Sequence, residues 1–452
     1  MESDNKKLSI KKILDEIGPG MCLAKWTQST IHLGVGHTHS CHHPRTHIIP
    51  VEEIKKNPSA LHNTNYKKLI RKEMLEGHRP RECNYCWNVE DLSNIDQFSD
   101  RVLKSSESWS LPHYDQIIKD GYDKDFYPRY VEISFSNVCN FKCSYCMPSV
   151  SSQWMEEVER YGPYPTSMNY NTLDWVKKQN KMPIPVREDN PYIEAFWQWW
   201  PDLYRNVDTF RITGGEPLLD KNTYKILDYV IENPNPNLDL CVNSNLCVPD
   251  ELYDKFLTKI EIIQKNNLVK KFTLYTSCEA HELAAEYIRF GLDYKKWLNS
   301  CHLFIDRVPK PSLGVIATYN ALSVTTFSKF LFDVRKFMTK IEKKDDAQFY
   351  LDIPYLNNPP HQNVKILTED FITQITNQIS YMTHLNFKNN EIDKLKRTAT
   401  IMIEGIKLPS EQNAINRKDF AIFVDEHDRR RGTNFLEVFP EMKDFYFLCK
   451  NL

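Results

Sequence analysis

Glycine is scarce in this chain, 13 of 452 residues where a share of about 7% is ordinary, so any Gly-Gly pair stands out. Charge of one sign is also missing: Lys plus Arg number 58 and Asp plus Glu 60. No global field therefore points to nucleic acid or to an anionic membrane. The longest apolar run falls far short of the roughly 20 residues that cross a bilayer, and the opening MESDNKKLSIKK lacks the apolar centre of a secretion signal. The expectation is a soluble, cytoplasmic protein with neither nucleic acid nor membrane as a partner. Repeats and low-complexity tracts are absent as well.

What is present suffices for folding. With 41% hydrophobic, 12% aromatic and 26% charged residues, the chain can bury cores, and its length allows two or three domains. Cytoplasmic thiols stay reduced, so the 12 cysteines read as metal ligands or core residues rather than as disulfides.

Residues 1–100 gather six histidines between His32 and His47 with four cysteines and few convincing strands, which suggests a small metal-stapled module. A linker follows over 101–130. From 131 to 356 short apolar strands, Val131–Val138, Thr209–Thr213, Leu238–Val242, Phe272–Thr276, Leu313–Tyr319 and Phe349–Ile353, alternate with helical periodicity in Asn222–Glu232, Asp250–Gln264, Glu282–Phe290 and Phe327–Ile341. Such alternation with right-handed crossovers gives an α/β fold with a parallel sheet or barrel, and six units are too few for a closed eight-unit barrel. The Pro- and Asn-rich piece from 163 to 191 reads as an insertion. Residues 357–452 form a charged, helical C-terminal extension of unassigned fold.

Directly after the first strand of that region stands Cys139-Asn-Phe-Lys-Cys143-Ser-Tyr-Cys146. A loop of this spacing can turn three thiolates onto one iron-sulfur cube and leave one iron open, as catalytic zinc keeps an open position. Half of a zinc site is the rival reading. At the end of the second strand, Thr213-Gly214-Gly215-Glu216-Pro217 offers close backbone approach to a ligand and a carboxylate for an ammonium group; alone, it would be a turn.

Together these motifs resemble the radical S-adenosylmethionine (SAM) superfamily, whose signature Cys-x-x-x-Cys-x-aromatic-Cys follows the first strand of a partial (βα)6 barrel. The resemblance spans about 131–356. It implies that Cys139, Cys143 and Cys146 hold a [4Fe–4S] cluster, that SAM occupies its open iron, that Tyr145 lies by the adenine, and that Gly214, Gly215 and Glu216 bind the methionine ammonium. It further implies reductive cleavage of SAM to a 5′-deoxyadenosyl radical that takes hydrogen from a substrate, with electrons from a low-potential donor such as flavodoxin or ferredoxin. Ser277 and Glu279 look like the family's ribose pair after the fourth strand. Asn243 and Asn245 follow the third strand, and Arg289 is placed for the SAM carboxylate. Turn asparagines and a surface arginine are the plain alternatives.

The N-terminal pattern, Cys22, Gly36 after 13 residues, Cys41 after four more, then Cys83-Asn-Tyr-Cys86-Trp87 preceded by Gly77–Pro80, resembles the SPASM/twitch auxiliary-cluster domain of radical SAM maturases. The resemblance implies a second [4Fe–4S] cluster on Cys22, Cys41, Cys83 and Cys86. In most relatives that domain follows the barrel, whereas here it precedes it. The run His37–His43 admits zinc with mixed ligands, while solvated-loop histidines are the ordinary reading. Cys241, Cys247, Cys278, Cys301 and Cys449 lack motif spacing and read as core. The aromatics Phe196–Trp200 read as core over a substrate platform, and Arg429–Arg431 as a solvated or pairing run over an anionic-substrate clamp.

Two function classes remain: a SAM-cleaving radical enzyme, or a non-catalytic iron-sulfur or zinc protein. A carrier wants fully ligated clusters and has no use for the Gly-Gly-Glu strand end, so the enzyme is expected. Its substrate would be a peptide or protein, with dehydrogenation of a small alcohol or sugar-like metabolite as the alternative.

Overall fold

The computed structural model describes residues 2–92, 98–168, 171–407 and 410–452; residues 169 and 170 of the expected insertion lie outside them. Six strands are β4 (Tyr130–Ser134), β6 (Thr209–Thr213), β7 (Asn235–Ser244), β8 (Val269–Ser277), β10 (Ser312–Ile316) and β11 (Gln348–Asp352). They pair in parallel and in chain order, with helices such as Lys221–Glu232, Asp250–Lys265, Tyr294–Arg307 and Phe327–Ile341 on the crossovers. This is the expected partial (βα)6 barrel with a helical extension. The outer strand faces carry Val131, Ile133, Phe210, Ile212, Leu240, Val242, Phe272 and Leu274, all buried against the helices. The opposite face carries Glu132, Arg211, Asn243 and Tyr275, each half-buried. Alternation along each strand thus produces a dry outer layer and a polar interior.

The N-terminal segment differs from the expectation of few strands. β1 (Gln28–His32), β2 (His37–His39) and β3 (His47–Ile48) belong to the same nine-stranded sheet, in the order β11-β10-β8-β7-β6-β4-β1-β2-β3. β1 runs parallel to β4, Ile31 opposite Ile133 and His32 opposite Ser134. The periodicity was hidden because these strands are only two to five residues long and rich in His and Thr. The segment still has an apolar core of its own, in which Leu14, Met21, Trp26, Met74, Trp87, Ile117 and Phe126 pack with Cys83 and Cys86.

The C-terminal extension is helical: Ile372–His384, Asn389–Ile406, Ser410–Arg431 and Lys443–Lys450. It packs into the main core through Phe420, Phe423, Phe435 and Phe439. The helix Pro191–Asn206 buries Phe196, Trp199 and Trp200, so this aromatic stretch is core. Among the described residues, no helix is long and apolar enough to cross a membrane.

Candidate functional site

The loop after β4 carries Cys139, Cys143 and Cys146, none in a disulfide. Its middle is fixed by a two-residue strand, β5 (Lys142–Cys143), paired antiparallel with β9 (Arg289–Phe290), so that Cys143 lies opposite Arg289. Trp154 Nε1 donates to the Cys143 carbonyl at 2.7 Å, and Ser144 exchanges bonds with Gln362 of the extension at 2.7 and 3.1 Å. Burial pushes all three thiols up, Cys146 to about 12, and the Cys143 charge raises its two neighbours further. Only a cationic group arriving among them would make three thiolates stable together.

Arg289 is buried and its fork is fully engaged. Nε and Nη2 donate to Glu279 Oε2 at 2.9 and 2.6 Å, and Nη1 faces Cys143 Sγ at 3.8 Å. Tyr145 donates its hydroxyl to Glu279 Oε1 at 3.0 Å. Burial works against both charges; the ion pair more than offsets this for Arg289, whereas Glu279 stays above the usual carboxylate range. The structure therefore joins Tyr145, Glu279 and Arg289 to the cysteine loop. Glu279 and Arg289, expected at the ribose and at the SAM carboxylate, are bonded to each other.

The two glycines answer to a close approach within the chain. A Cβ on Gly215 would stand 2.2 Å from the Val138 carbonyl, and one on Gly214, where φ is +128°, 2.7 Å from Ser134 Oγ. Glu216 N donates to the Val138 carbonyl at 2.7 Å, so the end of β6 is laced to the root of the cysteine loop. The Glu216 carboxylate is buried and accepts from Leu218 N, Ser244 Oγ and Asn245 N at 2.9, 2.8 and 2.6 Å. Despite these donors, burial lifts it to about 7. Ser277 ends β8 on the polar face. Asn243 turns to Arg211, accepting from Nε at 2.9 Å, while Asn245 reaches the cysteine loop through Asn140 at 2.7 Å.

The second thiol group comes from three places: Cys22 before a short helix Ala24–Thr27, Cys41 after β2, and Cys83 and Cys86 around the start of Asn84–Glu90. Burial raises all four; Cys22, Cys83 and Cys86 are raised further by charge on Cys41, and Cys83 and Cys86 also by Cys22. Buried Lys25 stands among them, ion-paired with Glu82, which accepts a 2.7 Å bond from Tyr66. Burial opposes the Lys25 charge, but Cys83, Glu82 and Cys41 together hold its pKa above the ordinary value.

Among the described residues, no three His, Cys, Asp or Glu side chains converge as one metal ion would require. The histidine run has other partners: His37 meets Thr46 at 3.1 Å and the Asn180 carbonyl at 2.9 Å, His43 meets Asp100 at 2.6 Å, and His39 meets the Cys41 carbonyl. Cys278, Cys301 and Cys449 are fully buried and Cys241 nearly so. Arg429 pairs with Glu426 at the surface. Arg430 and Arg431, whose side chains are buried, differ from a solvated run: Arg430 donates to the Gly162 carbonyl at 2.9 Å, and Arg431 to the Lys142 carbonyl at 2.7 Å while pairing with Glu157. Composition hid this role, since a run of arginines at a helix end reads as surface.

Residues 133–319 match the Radical SAM superfamily. GTP 3′,8-cyclase of Sulfurimonas denitrificans is 27% identical over 129 residues, 28% of this chain and 30% of that protein. The enzyme of the same name from Pasteurella multocida is 27% identical over 117 residues, 25% of each. The chain thus spans less than a third of the length of the curated relatives it matches. Two solved structures, native anSMEcpe with bound AdoMet (15% identity, TM-score 0.34, 55% of this chain and 59% of that one) and Streptococcus suis SuiB bound to precursor peptide SuiA (12%, 0.33, 80% and 70%), are too distant to carry an argument. The superfamily implies a [4Fe–4S] cluster and SAM, and the donor set fits: thiolates are the usual ligands of such clusters, three stand on one loop, and a guanidinium faces the middle sulfur. The stretch that matches the radical SAM superfamily, residues 133–319, is the one where cysteine loop, glycine pair and Arg289 meet.

Proposed function

We propose that the chain reductively cleaves SAM and abstracts hydrogen from a peptide or protein substrate, assisted by a second [4Fe–4S] cluster on Cys22, Cys41, Cys83 and Cys86. The observation that supports it most is the chain Tyr145–Glu279–Arg289–Cys143, whose central ion pair is buried and which holds the middle thiol of the loop against a fixed positive charge at the strand ends. When bound, the cluster and SAM supply a 5′-deoxyadenosyl radical. The chain's own residues do the rest: Arg289 steadies negative charge on the Cys143 sulfur, Glu279 and Tyr145 fix the guanidinium, and Trp154 and Gln362 hold the loop's backbone. Glu279, Arg289, Trp154 and Gln362 are buried, which keeps water from the side of the loop they cover.

Supporting the second cluster are the mutual influence of the four thiols and the charged lysine among them, which suits an anionic four-thiolate group. A flavodoxin or ferredoxin as electron donor and a cytoplasmic location, where thiols stay reduced, belong to the same reading. Protein prepared without oxygen should be brown, carry about eight irons with acid-labile sulfide, and form 5′-deoxyadenosine when reduced with SAM. Stoichiometric zinc without sulfide would overturn this reading.

A further inference from the structure

A small cavity lies beside the root of the barrel's cysteine loop, and among the described residues no cysteine lines it. Its volume is about 130 Å³, and its walls include His32, Thr46, Ser134, Met147, Ser149 and Lys181. One side is the segment just after Cys146; the other is the β1–β2 hairpin that leads to Cys41. Part of the 163–191 insertion closes it, pinned by Ile184 N to the Gly34 carbonyl at 2.8 Å and by Asn190 to the Leu33 carbonyl at 3.0 Å.

Among the described residues, no carboxylate lines this cavity. Lys181 is half-buried, and among the described residues it has no carboxylate within ion-pair distance; the charge that reaches it is that of Arg45, which together with burial makes its own charge less favourable. A partly desolvated ammonium without a counter-ion is costly unless a ligand brings one. Hydrogen-bond donors stand around it. His32 stacks on His39, centroids 5.6 Å apart, and burial first, then Lys181, keep it neutral down to about pH 4, so its ring offers one N–H. The Ser149 hydroxyl has no partner among the described residues. His37 is occupied by Thr46 and Asn180, and the Ser136 hydroxyl by Asp220 at 2.6 Å. Glu132, whose charge reaches His32, is held by Tyr130 at 2.8 Å and lies close to Arg211.

The geometry points to an oxyanion site: Lys181, His32 and Ser149 bind the terminal carboxylate or phosphate of the substrate, and so orient it beside the barrel's cysteine loop. The volume of about 130 Å³ admits one such group, several times a water's share of about 30 Å³. Oxyanion binding stands on the cavity alone; the word substrate rests on the reading of the preceding subsection.

The test uses the full chain with clusters in place and titrates inorganic phosphate and acetate by calorimetry. Binding of at least one is expected. Lys181→Gln should weaken it roughly 10-fold to 100-fold, the worth of a charged hydrogen bond, and Lys181→Arg should stay within about threefold. Phosphate tighter than acetate identifies a phosphate ester, and the reverse order a carboxylate. Absence of binding by either probe, or unchanged binding in Lys181→Gln, overturns the proposal. 5′-Deoxyadenosine formation measured on the same samples separates the two failures: normal cleavage with no oxyanion binding sinks this site alone, and binding without cleavage sinks the proposed reaction alone.

Discussion

Both thiol groups of this molecule are braced by the same device. At the barrel, Tyr145 and Arg289 share Glu279, and the guanidinium faces Cys143; at the N-terminal segment, Tyr66 and Lys25 share Glu82, and the ammonium stands among Cys22, Cys41 and Cys83. A tyrosine fixes a glutamate, the glutamate fixes a cation, and the cation faces sulfur. Low dielectric makes such an arrangement strong when complete and costly when broken. The groups differ in assembly. The barrel's three thiols sit within eight residues of one loop, whereas the other four come from segments up to 64 residues apart and share a small core. The first should survive loss of the second more readily than the reverse would suggest from thiol count alone.

The largest effect should come from Cys143→Ala. With one of three loop thiols gone, 5′-deoxyadenosine formation is expected to vanish, while about four of the eight irons remain on the N-terminal thiols. Iron and sulfide analysis beside a product assay checks this, and retained SAM cleavage would show the loop misread. Its counterpart is Cys83→Ala with Cys86→Ala. Both side chains lie in the small apolar core, where alanine is tolerated chemically, although cluster binding there is part of folding. SAM cleavage without substrate should persist and substrate turnover should fail. If cleavage disappeared while the barrel cluster and the circular dichroism spectrum stayed intact, the N-terminal cluster would be the electron entry route, and the division of labour between the two groups would be reversed.

A smaller effect should separate the two cations. Lys25→Met removes a positive charge from the N-terminal thiols without touching the barrel, so the reduced, more negative state of that cluster loses support. Its midpoint potential should move negative by roughly 50–100 mV, the equivalent of about 1–2 kcal/mol for one electron, as expected at an effective dielectric near 20, while the barrel cluster's potential stays fixed. Spectroscopic titration of both clusters in one sample reads the contrast. Equal shifts would mean that Lys25 acts through the whole fold rather than at its own thiols.

How much of this was legible follows from where each contact is made. The cysteine loop and the six parallel strands show in local pattern, because spacing along one loop and apolar runs along one strand are properties of neighbouring residues. Glu279 and Arg289 also lay in view, but their pairing across β5 and β9 is tertiary, and so is the reason for Gly214 and Gly215, whose missing side chains make room for Ser134 and Val138. β1 escaped because its register with β4 is set by a partner about a hundred residues away. Lys25, Lys181 and Arg211 carry no motif at all, and Arg431 only a run that reads as solvated or pairing; a lysine or arginine announces a buried role only when the fold surrounds it. The signal available beforehand was weak: Lys25 stands three residues after a candidate ligand, and Arg431 ends a helix next to a run of aromatics.

The last contrast concerns Glu216, a buried carboxylate laced to the root of the barrel loop. Burial lifts its pKa from about 4.5 to about 7, so its sign is opposite to that of a salt-bridged acid. A group with a raised folded-state pKa stabilises the fold fully below its unfolded value and loses that contribution as pH rises through the folded one. Glu216 should therefore favour the folded chain at pH 4.5 and stop doing so by about pH 7, with a ceiling on the order of 3 kcal/mol over the window. Glu216→Gln removes the titrating proton and keeps one acceptor oxygen, for the Leu218 amide and the Ser244 hydroxyl; loss of the bond from the Asn245 amide lowers stability at every pH without changing the slope. Its unfolding free energy, followed by denaturant titration at several pH values, should fall less steeply between pH 4.5 and 7 than that of the parent. An ammonium brought against the carboxylate by SAM would favour the charged form and flatten the parent's curve toward the variant's, an effect the N-terminal thiol group has no means to produce. A parent curve unchanged by SAM, with SAM cleavage intact, would leave Glu216 as a fastener of the loop and assign the methionine ammonium to other groups.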